Sequence, residues 1–509
     1  MKKSQLKAGI YLSYISLFIT NISNLILTPF IIRGLGDSEY GLYMLIGAFV
    51  GYIAVLDFGL GNATVRFVSK YRAENDKIKE ENFLFTTFLI YGIISGIVMI
   101  IGGIIYYNFQ FIFGNSLLTS EIRIAKVMFI ILLINLSFTL PMKSFTGIIT
   151  AYERFIIPKA LSIGRVLMRM LLILLLLSMG YKAIAIVMVD AILNLLMLII
   201  TMIYVFGKLE VKIKLYYFKI QIFKEILSYS SWIFISVIVD QIYWRIGHLI
   251  LGIYVSTTEV AVFAIGIMFG QYFITFSTAI SGVFLPKITK MVTKSATGEE
   301  LTDILIKTGR IQFIILGLVL GGFILIGENF LLIWAGPNYG LSWIIGLIVM
   351  LPLTIVLTQT IGISILQAKN LHKFRAITYL MIAIINSLIS VYLSKTHGGI
   401  GAAIGTSLSL VIGNIIVMNL YYHFKVKLNM IRFYKELVSG LLLSVIVSIL
   451  IGSLLNLITI NTWTTLIIQG FLFTIIYVTV LWFWGINKSE RKLFIGEINN
   501  VFKLLKIYK

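Results

Sequence analysis

The sequence predicts an all-α, polytopic membrane protein with about fourteen transmembrane helices. Hydrophobic residues make up 59% of the 509 residues and charged residues only 12%, which leaves too little polar surface to cover a soluble globule. Apolar stretches of roughly 20 residues, enough to cross about 30 Å of hydrocarbon as helices, recur from end to end without an intervening soluble domain. The short alternating segments of a membrane β-barrel are missing from the sequence.

Fourteen spans can be placed along the chain from its apolar stretches. In order they are 8–32, 41–65, 83–107, 124–148, 161–179, 183–206, 229–254, 260–285, 306–327, 341–367, 374–394, 400–422, 436–457 and 462–485. The basic segment 1–7 leads into an apolar stretch that is too long for a signal peptide. We therefore interpret that stretch as a retained first helix.

The distribution of basic residues predicts the orientation of the spans, because Lys and Arg accumulate in cytoplasmic loops. With a cytoplasmic amino terminus, the cytoplasmic segments hold 34 of the 42 Lys and Arg residues, the outer segments hold five, and three lie inside spans. If one helix were miscounted, every later loop would change sides and the basic residues after that point would lie outside. The pattern therefore favours an even number of crossings, with both termini in the cytoplasm.

A weak internal repeat at an offset of 220 residues predicts two pseudo-symmetric six-helix lobes. The aligned pairs are Glu39 with Glu259, Tyr43 with Phe263, Val68 with Ile288, Ser69 with Thr289 and Lys70 with Lys290. Six helices per unit would give both halves one orientation, although chance similarity between apolar segments is the alternative. The predicted domains are an N-terminal lobe 1–206, a cytoplasmic linker 207–228, a C-terminal lobe 229–423, and helices 13 and 14 with a basic tail in 424–509.

Several kinds of site are disfavoured by the sequence. The net charge of +21 suggests nucleic acid, but no basic patch on a soluble module accompanies it. No cysteine and only four histidines argue against a metal centre, and no nucleotide loop or catalytic motif is present, so no cofactor is expected. The glycine run at 398–405 opens a membrane helix, which favours helix packing over nucleotide binding.

Charged residues inside the spans are the most informative positions, because each costs roughly 2.5 to 3.5 kcal/mol at a helix centre and usually faces a cavity or a partner. Arg165 and Arg169 are four residues apart in the fifth span, so they share one helix face. They are candidate substrate-binding residues. The alternative is that both extend toward lipid headgroups from near the cytoplasmic end of the span.

The seventh span carries the densest polar set, with Asp240, Gln241, Arg245 and His248 within an apolar stretch. Exposure of that set to lipid would be prohibitive. Asp240 and Arg245 are five residues apart, so we expect at least one of them to have a partner on another helix. A buried ion pair that only ties helices together is the alternative.

Further polar residues lie on the first, second and sixth spans. Asp57 precedes a glycine-rich segment and Asp190 lies near Asn194, so these carboxylates are candidates for balancing the arginines or holding a coupling cation. Capping or bridging at a broken helix is the alternative for Asp57. Asn21 and Asn24 could line a cavity, although packing explains them about as well.

Two segments resemble a known family. The run 27–43, followed by Leu56-Asp57-Phe58-Gly59-Leu60-Gly61, resembles the opening of the polysaccharide biosynthesis flippases, and 147–155 is similar to their loop between helices 4 and 5. The resemblance implies membership of the multidrug, oligosaccharidyl-lipid and polysaccharide exporter superfamily. It also implies two six-helix lobes, a central cavity, alternating access, and a glycan linked to undecaprenyl diphosphate as substrate.

The resemblance gives the charged residues a chemical role. Guanidinium groups bind phosphate bidentately, so Arg169, Arg245 and His248 are expected to contact the diphosphate or sugar, with Asp57, Asp190 and Asp240 balancing charge or binding Na⁺ or H⁺. Where family members often have an acidic residue before the Ile-Leu-Gly of helix 7, this chain has His248. That departure puts the coupling chemistry in doubt, because histidine titrates near neutral pH.

Three other functions compete with a flippase in the bacterial cytoplasmic membrane. A cation-coupled multidrug exporter would have a more acidic cavity, and a glycan polymerase or ligase would need substantial outer loops, which this chain lacks. A membrane scaffold would use its buried charges only as ties between helices. The expected partners are the lipid-linked glycan, membrane lipids and other glycan assembly proteins, with no nucleic acid.

Overall fold

The computed structural model describes residues 2–217, 220–281, 284–369, 371–457, 462–492 and 495, and these residues form helices without a β-strand. In chain order the helices are α1 (Lys2–Leu35), α2 (Asp37–Ile53), α3 (Leu60–Ala73), α4 (Lys77–Tyr107), α5 (Phe109–Phe113), α6 (Thr119–Ala151), α7 (Ile156–Ser178), α8 (Ala183–Gly207), α9 (Ile220–Tyr254), α10 (Thr257–Ser281), α11 (Leu285–Thr293), α12 (Gly298–Trp334), α13 (Gly340–Thr358), α14 (Ile361–Ala368), α15 (His372–Leu410), α16 (Met418–Phe424), α17 (Met430–Val438), α18 (Leu441–Gly452) and α19 (Trp463–Val480). The predicted all-α fold class is confirmed.

The predicted membrane crossings correspond to long apolar helices. Within the described residues, twelve segments are long and apolar enough to cross a membrane. Eleven of them each overlap one predicted span. The segment Lys373–Phe424 contains two, and the seventh predicted span lies in α9.

The described contacts divide the chain into two compact units. Unit 1 comprises Met1–Ala264 and Ala383–Ala402, and unit 2 comprises Ile265–Ile382 and Ala403–Lys509. In unit 1, α1 packs along α7, and α6 packs between α4 and α8. These units are defined by contacts, not by the repeat. The division into lobes 1–206 and 229–423, a linker 207–228 and a C-terminal part 424–509 stays a prediction.

Unit 2 is organised around the 37-residue helix α12, which packs against α13, α18 and α19. Arg310, within this helix, forms a buried bidentate ion pair with Glu490, with nitrogen to oxygen distances of 2.5 and 3.0 Å. Its remaining donors reach the carbonyl oxygens of Glu436, Ser439 and Gly485. A buried guanidinium needs hydrogen-bond acceptors for all its donors, because its charge is desolvated. Through these bonds Arg310 ties α12 to the segments that follow α17 and α19.

Glu39 and Glu259, which the repeat aligns, have the same structural role. The Glu39 carboxylate accepts a 2.9 Å hydrogen bond from the backbone N–H of Ala183, at the start of α8. Glu259 accepts a 2.7 Å bond from the N–H of Gly399, where α15 resumes after a kink. The kink requires Gly398, because its φ is +52° and a Cβ there would lie 2.5 Å from the Glu259 carboxylate. Both glutamates satisfy N–H groups that the start of a helix leaves free.

Candidate functional site

A row of partly exposed polar side chains follows helices α2, α6, α7 and α8 of unit 1. At its centre, the Arg169 Nε donates to Asp190 Oδ1 at 2.5 Å and Nη2 donates to Oδ2 at 3.2 Å. The Tyr43 hydroxyl lies 3.2 Å from Nη2 and donates to Oδ2 at 3.3 Å. Arg169 and Asp190 each keep about one fifth of their side-chain surface exposed, 21% and 20%. The pair is therefore only partly covered by the rest of the protein.

The row continues through amide and hydroxyl groups. Asn194 lies one turn after Asp190 on α8, and its side-chain amide donates to Asn135 Oδ1 at 2.7 Å and to Thr139 Oγ1 at 2.6 Å on α6. Residues four apart on a helix share a face, so Asn135, Thr139 and Lys143 form one stripe along α6. The polar row is defined by nine residues: Tyr43, Asp57, Asn135, Thr139, Lys143, Arg165, Arg169, Asp190 and Asn194, all half-buried.

Asp57 and Lys143 form the second ion pair of the row. The Lys143 Nζ lies 3.3 Å from Asp57 Oδ2. Asp57 ends the short turn Ala54–Asp57, and the next two residues, Phe58 and Gly59, have φ values of +52° and +69°. Helix α2 is thus broken at the glycine-rich segment before the chain resumes as α3.

Arg245 lies apart from this row, between α9 and α2. Its Nη1 donates to the carbonyl oxygen of Gly47 at 3.2 Å, and the Tyr52 hydroxyl donates to the carbonyl oxygen of Gln241 at 3.1 Å. Arg245 forms no ion pair within 4 Å with any residue that the structure describes. We expected Asp240 or Arg245 to have a partner on another helix, and for Arg245 this partner is the Gly47 carbonyl oxygen of α2.

The other predicted site residues lie in different environments. His248 is buried and its ring packs edge-on against Phe263, with centroids 5.1 Å apart, so it belongs to the packing of α9 against α10. Asp240 and Asn24 are exposed, and Asn21 is half-buried. The substrate-binding roles of His248, Gln241, Asn21 and Asn24 stay predictions, as do the balancing roles of Asp57, Asp190 and Asp240.

Sequence reasoning missed four members of the polar row, namely Tyr43, Asn135, Thr139 and Lys143. Tyr43 is noticed in the sequence only through the repeat, and Lys143, which lies inside the predicted span 124–148 and inside α6, was not singled out. The spacing of four between Asn135, Thr139 and Lys143 was an available signal, because it places three polar groups on one face of an apolar helix.

The electrostatic balance of the polar row is positive. Its three cations, Lys143, Arg165 and Arg169, face two carboxylates, Asp57 and Asp190, and Arg165 has no ion pair among the described side chains. In the parts of the chain that the structure describes, no group of three or more His, Cys, Asp or Glu could hold a metal ion. The chemistry available to the row is therefore the binding of anions and hydroxyl-rich groups.

Solved structures share this fold over most of the chain. A lipid II flippase MurJ in an inward closed conformation has a TM-score of 0.72 at 18% identity, covering 93% of this chain and 99% of its own. An inward-facing multidrug resistance MATE family transporter of the MOP superfamily has a TM-score of 0.61 at 14% identity, with 82% and 99% covered. The chain thus shares the fold of these two proteins over most of its length.

Sequence comparison gives the family. The profile of the polysaccharide biosynthesis protein family matches residues 6–292, more than half of the chain, and the chain belongs to that family. Membrane protein EpsK of Bacillus subtilis (strain 168) is 22% identical over 489 residues, which cover 92% of this chain and 93% of EpsK. The predicted family is confirmed.

The contact between Arg245 and α2 is testable with a matched pair of glycine variants. In Gly51→Ala the new Cβ would lie 2.7 Å from Arg245 Nη1, whereas in Gly47→Ala it would meet nothing within 4 Å. Both variants gain helix propensity, but only Gly51→Ala displaces the guanidinium. We expect it to be about 1 to 2 kcal/mol less stable than Gly47→Ala in thermal unfolding of the detergent-solubilised protein.

The double-mutant control uses Arg245→Ala as the background. There the stability difference between the two glycine variants should disappear, because the clashing group is gone. A difference that persisted would mean that Gly51 is required for another reason.

Proposed function

We propose that this protein moves a glycan linked through a diphosphate to undecaprenol from the inner to the outer leaflet of the bacterial cytoplasmic membrane. Family membership supports a substrate from polysaccharide synthesis, and the transporter fold supports alternating access. The distribution of basic residues supports cytoplasmic termini.

The observation that carries this proposal is the surplus of positive charge among the half-buried polar groups of unit 1. Asp57 and Asp190 are neutralised by Lys143 and Arg169, while Arg165 and Arg245 form no ion pair with described residues. A diphosphate supplies negative charge and several acceptor oxygens, and guanidinium groups bind both. A cationic drug, the cargo of the competing exporter hypothesis, would meet no unpaired carboxylate in the polar row.

The proposed direction follows from the membrane potential. Moving one elementary charge across it is worth about 2.3 kcal/mol per 100 mV, so two negative charges leaving a negative interior gain about 4 to 5 kcal/mol. The prenyl tail can stay in the lipid while the polar row shields the diphosphate and sugar. Outward movement is therefore favoured without a bound nucleotide.

Alternating access requires contacts that close one end of the carrier. At the predicted outer ends of α2, α6 and α10, the buried carboxylate of Glu121 accepts hydrogen bonds from Ser38 and, at 2.8 Å, from Thr257. Gly41 allows close packing here, because a Cβ at this position would lie 1.8 Å from the Thr257 carbonyl oxygen. We propose that these contacts hold the outer ends together and break when cargo leaves.

A disulfide should lock this closed end. The Ser38 and Thr257 hydroxyl oxygens are 3.3 Å apart, and the chain has no native cysteine, so Ser38→Cys/Thr257→Cys can form a single defined bond. We expect oxidation to stop flipping of a lipid-linked glycan in proteoliposomes, and reductant to restore it.

The matched control is Ser16→Cys/Ser162→Cys, which joins α1 to α7 through hydroxyl positions 3.5 Å apart. Oxidation of this pair should leave transport intact, since α1 and α7 pack along each other and the bond does not join the outer ends of α2, α6 and α10. If the oxidised Ser38→Cys/Thr257→Cys variant transported at the normal rate, the proposed gating role of the contacts among Ser38, Glu121 and Thr257 would be refuted.

The role of charge at Arg169 can be separated from its role in packing. Arg169→Gln/Asp190→Asn replaces the ion pair with two neutral groups that can still hydrogen-bond, whereas Arg169→Gln alone leaves an uncompensated carboxylate. We expect the double variant to fold with near-normal thermal stability and to transport lipid-linked glycan at about one tenth of the normal rate or less.

The control variant Arg123→Gln removes one positive charge from an exposed position in the first turns of α6, outside the polar row. It should transport normally. A double variant that transports as fast as this control would show that Arg169 and Asp190 only tie helices together.

A further inference from the structure

The ion pair between Lys143 and Asp57 is held much less tightly than the pair at the centre of the polar row. Lys143 and Asp57 meet through one contact of 3.3 Å, and 41% of the lysine side chain is exposed. Arg169 and Asp190 meet through two contacts and are 21% and 20% exposed. A single contact by an exposed lysine is weak, so Lys143 is, of the two cations of the row that already have a carboxylate partner, the one that an incoming anion can more easily recruit.

Asp57 is fixed in place while Lys143 is mobile. The backbone at Phe58 and Gly59 is left-handed, and the Phe58 ring stacks on Phe234 with centroids 4.1 Å apart. The hydroxyl of the fully buried Tyr91 lies near Asp57, although the two form no hydrogen bond. Lysine has a flexible four-carbon stem. If the pair opens, the carboxylate keeps a polar neighbour and the ammonium moves away.

Lys143 also lies where cargo from the cytoplasmic leaflet would arrive. It is eight residues before the end of α6, about 12 Å along the helix from the predicted cytoplasmic end. Thr139 and Asn135 follow it on the same face, one and two turns deeper, and Asn194 connects them to the helix of Asp190. A phosphate bound at Lys143 would thus stand at the beginning of the polar row that leads to Arg169.

We propose that Lys143 is the first residue of this protein to bind the diphosphate of the lipid-linked cargo, exchanging the Asp57 carboxylate for a phosphate oxygen. This inference rests on the proposed function and adds a substrate-binding residue to it. Asp57 acts as a competitor that keeps Lys143 occupied until an anion of higher charge arrives. The ligand chemistry is a lipid phosphate, and a diphosphate carries more negative charge than the phosphodiester of a bulk phospholipid.

Binding measurements on purified protein in phosphatidylcholine nanodiscs test the exchange, with undecaprenyl diphosphate as the probe. Lys143→Gln should raise the Kd about tenfold or more, and Lys143→Arg, which restores the charge, should recover most of the affinity. Asp57→Asn should lower the Kd severalfold, because it removes the competing carboxylate. A purely structural ion pair predicts the opposite for Asp57→Asn, since breaking the pair would then impair binding.

Lys126→Gln is the matched control, because Lys126 is a lysine at the other end of the same helix, over the Tyr106 ring. It should leave the Kd unchanged. Equal affinities for Lys143→Gln and the unmodified protein would overturn the inference, and so would weaker binding by Asp57→Asn. If Asp57→Asn does not fold, the comparison of Lys143→Gln with Lys143→Arg decides alone.

A second arm distinguishes the cargo from ordinary headgroups. Phosphatidylglycerol added to the nanodiscs in molar excess over undecaprenyl diphosphate should not displace it. Displacement that depended on Lys143 would assign this lysine to bulk anionic lipid and overturn the inference. Failure of the unmodified protein to bind undecaprenyl diphosphate would instead refute the proposed function, so the two failures are distinguishable.

Discussion

The pairing of charges inside apolar helices is the constraint on which the rest of this structure depends. An isolated charge at depth in a bilayer is costly, and the described carboxylates of the polar row are each matched by a cation on another helix: Asp190 by Arg169 and Asp57 by Lys143. These pairs tie α2, α6, α7 and α8 to one another. Because the cations outnumber the carboxylates, the same pairs leave a positive surplus, which is tolerable only beside water or an anion.

The segments that the predicted 220-residue repeat aligns share one structural feature but differ in charge. Glu39 and Glu259 each satisfy a helix start. At the offset of 220 residues, Asp57 corresponds to Ser277, whose neutral hydroxyl accepts from Gln312 at 2.9 Å. The amide of Gln312 also reaches Thr360 at 2.8 Å. The position that is ionic in the first segment is thus part of a neutral hydrogen-bonded cluster in the second, and the ion pairs of the polar row lie in unit 1.

Much of the fold could be predicted from the sequence, because hydropathy and the distribution of basic residues report directly on the lipid environment. The fourteen spans match long helices, and Arg169 with Asp190 were identified from their cost at depth. Lys143 and Arg310 lie inside the predicted spans 124–148 and 306–327, but their ion-pair partners, Asp57 and Glu490, are distant in the chain and cannot be recognised from sequence spacing. His248 was expected to contact cargo, yet it packs against Phe263. Only tertiary contacts distinguish a buried imidazole from an accessible one.

The charge of the cargo is the claim that separates this account from its competitors, and the voltage dependence of transport measures it directly. Proteoliposomes with the cytoplasmic face inward would be loaded with a lipid-linked glycan diphosphate, and an interior-negative potential of about 100 mV imposed by a potassium gradient. Two negative charges moving outward gain about 4 to 5 kcal/mol under that potential, so the outward flux should rise severalfold. A flux that fell, or that did not respond to voltage, would contradict the account.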